Sequence, residues 1–146
     1  MKREETVDYN IKAAWHAIAR MYNQEAVKYD ITTSIGFVLL NIHEDGTPAT
    51  KIAPLLGLES RSLTRMLKTM EEKGFICRKP DANDKRLVRI FLTEKGKEKK
   101  EISRKTVRSF NKAVQEQIPK EDLESFFKTI NHINQIVEEQ QLRSTK

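Results

Sequence analysis

The chain has 146 residues, of which 38% are hydrophobic and 33% charged, and its net charge is +6. This composition is that of a globular protein and excludes a disordered chain. No run approaches the roughly 20 apolar residues of a membrane-spanning helix, no apolar stretch follows the charged first residues as in a signal peptide, and the single cysteine, Cys77, cannot form an internal disulfide. We therefore expect a cytoplasmic protein that does not bind membranes.

The positive charge is concentrated in the middle of the chain. Residues 59–92 carry nine Lys and Arg against five Asp and Glu, a net charge of +4, whereas residues 1–58 have a net charge of −1. A local excess of positive charge is expected of a surface that binds a polyanion. Charge alone does not identify nucleic acid, because moderately basic proteins are common.

The first half of the chain predicts three helices. Apolar residues recur every three or four positions over residues 7–29, followed by possible capping residues at 30–33. The second helix, residues 34–43, is nearly all apolar, and Gly36 within it indicates close packing against a neighbouring element. After a predicted turn at 44–48, a third helix over residues 49–56 is short or kinked because it contains Pro54, and it ends at Gly57.

The second half begins with a change of periodicity. A fourth helix over residues 59–73 follows the third after a tight turn, which matches a helix-turn-helix unit. Alternating residues then predict strands at 75–79 and 87–92, joined by a polar tip at 80–86. Thr93 is expected to cap a fifth helix that runs to about residue 117, and Pro119 to begin a sixth that runs to about residue 142.

The fourth helix has one apolar stripe and one cationic, hydroxyl-rich surface that fits the major groove of B-DNA. Near its N-terminus, Arg61 and Ser62 are best placed for base edges, Arg65 for bases or phosphates, and Lys68 for phosphate. A solvated face on an ordinary amphipathic helix is the alternative. The predicted DNA-contacting residues of this helix are Ser60, Arg61, Ser62, Thr64, Arg65 and Lys68.

The polar hairpin tip adds a second predicted DNA contact. It carries Lys85 and Arg86, and a wing at this place would put Arg86 into the adjacent minor groove, where negative potential is concentrated. Asp84 should repel phosphate, so we expect it to hold Arg86 extended through a charge-assisted hydrogen bond. The helix and the hairpin together favour double-stranded DNA as the partner.

These segments resemble the MarR (multiple antibiotic resistance regulator) family. Residues 57–58, 62–67, 70–76 and 78 are similar to its recognition-helix segment. Residues 84–86 and 91–96 are similar to its wing and wing-to-helix signature, which contains Asp-x-Arg and Leu-Thr-x-x-Gly. The resemblance covers nearly the whole chain. It implies a mainly α single domain, with a winged helix-turn-helix region at 32–92 and dimerisation helices at 1–31 and 93–146.

The resemblance also implies a function. Members are homodimers that bind pseudo-palindromic operators, usually as repressors, and many are released by small phenolic, lipophilic or oxidising effectors. In this chain the effector would lie near Trp15, Phe37 and Met66. Glu59 departs from the family, where many members have Ser or Asn at the cap of the recognition helix, and this leaves operator preference open.

A homodimer is also favoured by the residues themselves. The terminal helices carry more large apolar side chains than a small wing domain needs, and helix-turn-helix proteins usually pair to contact two half-sites. A monomer that folds these side chains inward is the alternative. The side chains concerned are Trp15, Phe110, Phe126, Phe127, Ile130 and Ile133.

No catalytic residue, metal site or cofactor is predicted, and we do not expect an enzyme. The three histidines are scattered, and no nucleophile, base and orienting group stand together in the sequence. Cys77 lies in an alternating strand, where burial is a commoner role than oxidation sensing. A winged-helix module that contacts proteins rather than DNA is the alternative function, because a fold does not fix a function.

Overall fold

The computed structural model describes residues 1–57 and 59–144. It divides into two compact units, residues 1–106 and residues 107–146. The helices are α1 (Val7–Ala26), α2 (Thr33–Leu40), α3 (Ala49–Leu56), α4 (Ser60–Glu72), α5 (Glu94–Gln117) and α6 (Lys120–Ser144), and the strands are β1 (Thr47–Pro48), β2 (Ile76–Pro80) and β3 (Val88–Leu92). This arrangement confirms the predicted mainly α winged-helix fold. The limits of the dimerisation and DNA-binding regions stay predictions.

Two predicted helices end earlier than expected. After α1, the segment Val27–Tyr29 forms a 3-10 turn, and Asp30 has a left-handed backbone with φ of 59°. The predicted end of the second helix, at residue 43, was wrong, because α2 ends at Leu40. The side chain of Asn41 there donates to the carbonyl of Phe37 at 2.8 Å, a local bond that competes with the helical ladder.

The predicted turn at 44–48 is also corrected. Thr47 and Pro48 form β1, which pairs antiparallel with Ile90 and Arg89 of β3. The sheet therefore has three strands in the order β1-β3-β2, rather than the two strands of a simple hairpin. Pro48 fits this place because an edge strand tolerates a residue that has no N–H to donate.

The predicted caps and turn glycines follow local chemistry. Thr32 caps α2 by accepting a hydrogen bond from the amide of Ile35 at 3.1 Å. Thr93 caps α5 in the same way, accepting from the amide of Gly96 at 3.0 Å. Gly57 ends α3 with φ of 63°, a conformation that glycine adopts at little cost.

The hydrophobic core lies in the first unit and is built from α2, α3, α4 and the sheet. Its fully buried side chains are Val38, Leu39, Ile42, Ile52, Met70, Phe75 and Ile90. The predicted close approach at Gly36 is present, because a Cβ there would lie 3.1 Å from the hydroxyl oxygen of Ser103 on α5. This core fixes the buried side of α4 and leaves its opposite side in solvent.

Two helical faces remain uncovered within a single chain. No residue of α6 is buried, and its Phe126 and Phe127 are 55% and 56% exposed. In the first unit, the N-terminal part of α1 exposes Ile11 and Trp15. These are the apolar stripes from which the sequence predicts a dimer.

Candidate nucleic-acid interface

The helix α4 presents one polar face to solvent. Leu63, Leu67 and Met70 hold it against the core. Because a helix returns to the same face every three to four residues, the intervening positions are left outside. All six predicted contact residues are exposed: Ser60, Arg61, Ser62, Thr64, Arg65 and Lys68.

The cations on this face are not engaged by carboxylates. Among the residues that the structure describes, no ion pair is formed by Arg61, Arg65 or Lys68. The hydroxyl of Thr64 donates to the carbonyl of Ser60 at 2.8 Å, so only its oxygen lone pairs and methyl group face outward. The face therefore offers unpaired positive charge that an external anion can reach.

The start of α4 has no side-chain cap. Glu59 occupies the N-cap position with an extended backbone, and its side chain accepts no hydrogen bond from the first turn. The first amides of a helix have no partner within the helix and suit a phosphate oxygen. Leu58, part of the motif that resembles the family, lies outside the described residues.

The wing is the connection between β2 and β3. The amide of Asp81 donates to the carbonyl of Leu87 at 2.9 Å, and the amide of Leu87 donates to the carbonyl of Asp84 at 3.0 Å. These bonds close a compact loop at the end of the ladder. Lys85 and Arg86 lie at its exposed tip.

The predicted contact between Asp84 and Arg86 is present. Nε of Arg86 donates to Oδ1 of Asp84 at 3.2 Å, and the backbone amide of Arg86 donates to the same oxygen at 3.0 Å. The Arg86 side chain is nevertheless 92% exposed. Asp84 thus restrains the guanidinium without covering it. Its role at DNA stays a prediction.

A second ion pair at the base of the wing was not predicted. The guanidinium of Arg89 on β3 donates to the carboxylate of Asp81, and its Nη1 donates to the carbonyl of Gly46 at 3.0 Å. The Arg89 guanidinium, with the backbone amides of Asn83 and Asp84, holds the pKa of the Asp81 carboxyl below its usual value. The sequence indicated only the local part of this arrangement, since an aspartate at the position of Asp81 in a turn commonly accepts hydrogen bonds from the amides two or three residues later. Nothing in the sequence indicated the pairing with Arg89.

The end of α4 is joined to the start of α5. The hydroxyl of Thr93 donates to the carbonyl of Gly74 at 2.5 Å, and the amide of Thr93 donates to the carbonyl of Phe75 at 3.0 Å. Nζ of Lys95 donates to the carbonyl of Lys73 at 3.1 Å. Three successive carbonyls after α4 are therefore bound by two residues at the start of α5.

The predicted effector residues are partly brought together. The rings of Trp15 and Phe37 lie 5.6 Å apart between centroids, and the ring of Tyr22 lies 6.2 Å from that of Phe37. Met66 is half-buried against the hydrophobic core. The structure thus shows a contact between two of the three predicted residues.

Residues 1–57 and 59–144 contain neither a cluster of metal ligands nor a membrane-spanning helix. No group of three or more His, Cys, Asp or Glu side chains there is arranged to hold a metal ion. No helix in the same ranges has the length and apolarity that crossing a membrane requires.

Comparison with known proteins identifies the family. The model of the MarR family matches residues 31–88. The HTH-type transcriptional regulator SarZ of Staphylococcus saprophyticus is 34% identical over 115 residues, which cover 75% of this chain and 79% of SarZ. The chain belongs to the MarR family. It is therefore a winged-helix regulator, as the sequence motifs predicted.

Two further MarR-type proteins extend the comparison. The HTH-type transcriptional regulator TtmR of Methylorubrum extorquens is 37% identical over 90 residues, which cover 61% of this chain. The match spans 46% of TtmR, so this chain accounts for about half the length of that relative. The crystal structure of the S. aureus MepR–DNA complex superposes with a TM-score of 0.82 at 23% identity, covering 90% of this chain and 98% of MepR, which shows a shared fold.

Proposed function

We propose that this MarR-family protein is a sequence-specific DNA-binding repressor of transcription. The observation that carries the proposal is the exposed face of α4, on which Arg61, Arg65 and Lys68 have no carboxylate partner among the described residues. Exposed Lys and Arg side chains are common on protein surfaces, but here three of them share one helical face that directly precedes the basic wing in the chain. A row of uncovered cations on a helix that the core holds rigidly suits a phosphate-lined groove.

Each part of the surface has a distinct task at DNA. The α4 helix enters the major groove, where Arg61 and Arg65 reach guanine edges and Ser62 a base or phosphate. Lys68, further along the helix, contacts phosphate and adds affinity without sequence preference. Arg86 of the wing enters the neighbouring minor groove, while Lys85 stays near the backbone.

The active form is proposed to be a homodimer. A single chain leaves Ile11, Phe126 and Phe127 about half exposed, and water contact with such side chains opposes the monomer. The occupant that suits both apolar helical faces is a second copy of this chain, since a symmetric pair buries the same patch twice. Two α4 helices then face successive major grooves, about 10 base pairs apart.

A small-molecule effector is proposed to release the DNA. The support is the aromatic group of Trp15, Tyr22 and Phe37, in which Trp15 remains 46% exposed. Exposed aromatic rings stack on flat apolar or phenolic molecules.

A chromosomal target would place the protein in the cytoplasm. Regulation of transcription by binding DNA needs no catalytic group.

Selection from random duplexes tests the function. The purified protein should recover an inverted repeat with half-sites one helical turn apart, and fluorescence anisotropy on that duplex should show affinity falling steeply with salt. Arg61→Ala should weaken binding by about 1–3 kcal/mol and relax the preference at one base pair. Arg20→Ala removes the same charge from an exposed position on α1 and should bind as the wild type does.

Two results would contradict the proposal. Failure to enrich any motif, with only weak binding that vanishes with salt, would make the basic face non-specific. Low affinity for every duplex without salt dependence would favour the alternative, a winged-helix module that contacts proteins.

A further inference from the structure

A network of polar contacts connects the β1 turn to the tip of the wing. Its central residue is Arg89, which pairs in the sheet with Lys79 of β2 and Pro48 of β1. The Arg89 side chain is 32% exposed and spans from the Asp81 carboxylate to the carbonyl of Gly46. Arg89 therefore connects two loops that lie far apart in sequence.

Asp81 connects Arg89 to the loop of the wing. One of its carboxylate oxygens accepts from Arg89, and the other accepts the backbone amides of Asn83 and Asp84 at 3.0 and 2.9 Å. Asp84 in turn accepts two hydrogen bonds from Arg86. A continuous series of hydrogen bonds therefore runs from Arg89 at the base of the wing, through Asp81 and Asp84, to the exposed guanidinium of Arg86.

Stability alone is a poor explanation of this arrangement. The Asp81 side chain is 9% exposed, and removing a carboxylate and a guanidinium from water costs much of what their attraction returns. Replacing a buried ion pair by apolar residues of similar volume is often neutral or stabilising. What the ion pair adds is direction, because the planar guanidinium fixes the angle between its two acceptors.

We propose that Arg89 is a positioning residue for DNA binding, which acts through Asp81 to set the orientation of the wing so that Arg86 meets the minor groove. Arg89 itself is half-buried and touches no DNA in this scheme. The inference rests on the proposed function, because the orientation of Arg86 matters only if the wing meets DNA.

A double-mutant cycle on the selected operator tests the role. Arg89→Gln should weaken binding roughly tenfold, and Arg89→Lys should recover part of the loss. Arg86→Ala should weaken it roughly five- to hundredfold. The double variant should bind within about twofold of Arg86→Ala, because a residue that acts through Arg86 has nothing left to position. Arg20→Gln, on an exposed site of α1, is the matched control and should bind as wild type.

A second readout separates positioning from folding. Repeating the selection with Arg89→Gln should flatten the preference at the base pairs flanking each half-site and leave unchanged the preference at the pairs that α4 contacts. If Arg89→Gln fails to fold, as judged by circular dichroism, Asp81→Asn takes its place. The asparagine still accepts the wing amides but lacks the charge that Arg89 binds.

The outcomes distinguish this inference from the proposed function. If the wild-type protein selects no operator, both the proposed function and the positioning role of Arg89 are overturned. If the wild type binds and Arg86→Ala weakens it, then normal binding by Arg89→Gln overturns the positioning role alone. Additive losses in the double variant, or a uniform loss of preference at every base pair, also overturn it.

Discussion

Gly96 in the first turn of α5 has no room for a side chain. A Cβ at this residue would lie 1.9 Å from the carbonyl oxygen of Phe75 and 2.9 Å from its carbonyl carbon. Both are backbone atoms, which cannot rotate away. To reach the 3.0 Å below which real Cβ contacts are essentially never seen, Gly96→Ala must move α5 and the end of α4 apart by about 1.1 Å.

The size of the effect follows from opposing contributions. Alanine in a helix gains about 1 kcal/mol over glycine. Overpacking typically costs about 1–3 kcal/mol. The displacement also stretches the 3.0 Å hydrogen bond from the Thr93 amide to the Phe75 carbonyl, and losing that bond costs about 1 kcal/mol more. We expect a net loss of about 1–3 kcal/mol in the free energy of unfolding. At roughly 2–4 °C per kcal/mol, Tm should fall by about 2–12 °C.

Thermal unfolding by circular dichroism at one fixed protein concentration measures this loss. Gly36→Ala is the matched control, because it makes the same change inside α2 but meets only a side chain, that of Ser103, with the hydroxyl oxygen at 3.1 Å and Cβ at 3.7 Å. The Ser103 side chain can shift at the expense of its hydrogen bond to the Lys99 carbonyl. Its stability should stay within about 1 kcal/mol of wild type. A Gly96→Ala protein as stable as wild type would refute the close approach, and an equal loss in Gly36→Ala would show that the Phe75 carbonyl is not the cause.

Three further results are expected. Asp84→Ala should weaken operator binding in anisotropy measurements by less than Arg86→Ala does, because it frees the guanidinium without removing it; unchanged affinity would contradict the restraint. Phe127→Glu should shift sedimentation from dimer to monomer, whereas an unshifted dimer would place the interface elsewhere. The lowered pKa of Asp81 implies that its bond to Arg89 contributes full stability above about pH 4 and loses it as the pH falls through the lowered pKa. The difference in unfolding free energy between wild type and Asp81→Asn should therefore be constant from pH 7 to about 5 and shrink below about 4, and a constant difference at pH 3 would contradict it.

The features that sequence predicted are those with local causes. The cap at Thr93 and the bond between Asp84 and Arg86 involve residues two or three positions apart, so their side chains meet whatever the rest of the fold does. The buried stripe of α4 follows from helical periodicity in the same way.

The features that sequence missed depend on contacts between distant segments. Strand β1 has only two residues, one of them a proline, so it has no alternation to detect and exists only because β3 lies beside it. Arg89 reaches the carbonyl of Gly46, which is 43 residues away along the chain. The helical tendency of residues 41–43 was overestimated because Asn41 makes a local bond that composition does not show.

The hydrogen bonds that join the residues after α4 to Thr93 and Lys95 limit one motion of α4 in particular. The carbonyls of Lys73, Gly74 and Phe75, which directly follow α4, are held by these bonds, and this opposes rotation of α4 about its long axis. Such a rotation would change the direction in which Arg61 and Arg65 point. The angular setting of α4 therefore depends on Thr93 and Lys95 as well as on the core contacts of Leu63, Leu67 and Met70. On the proposed function, a substitution at Thr93 or Lys95 should therefore alter which operator sequences are preferred, while every side chain proposed to contact bases stays the same.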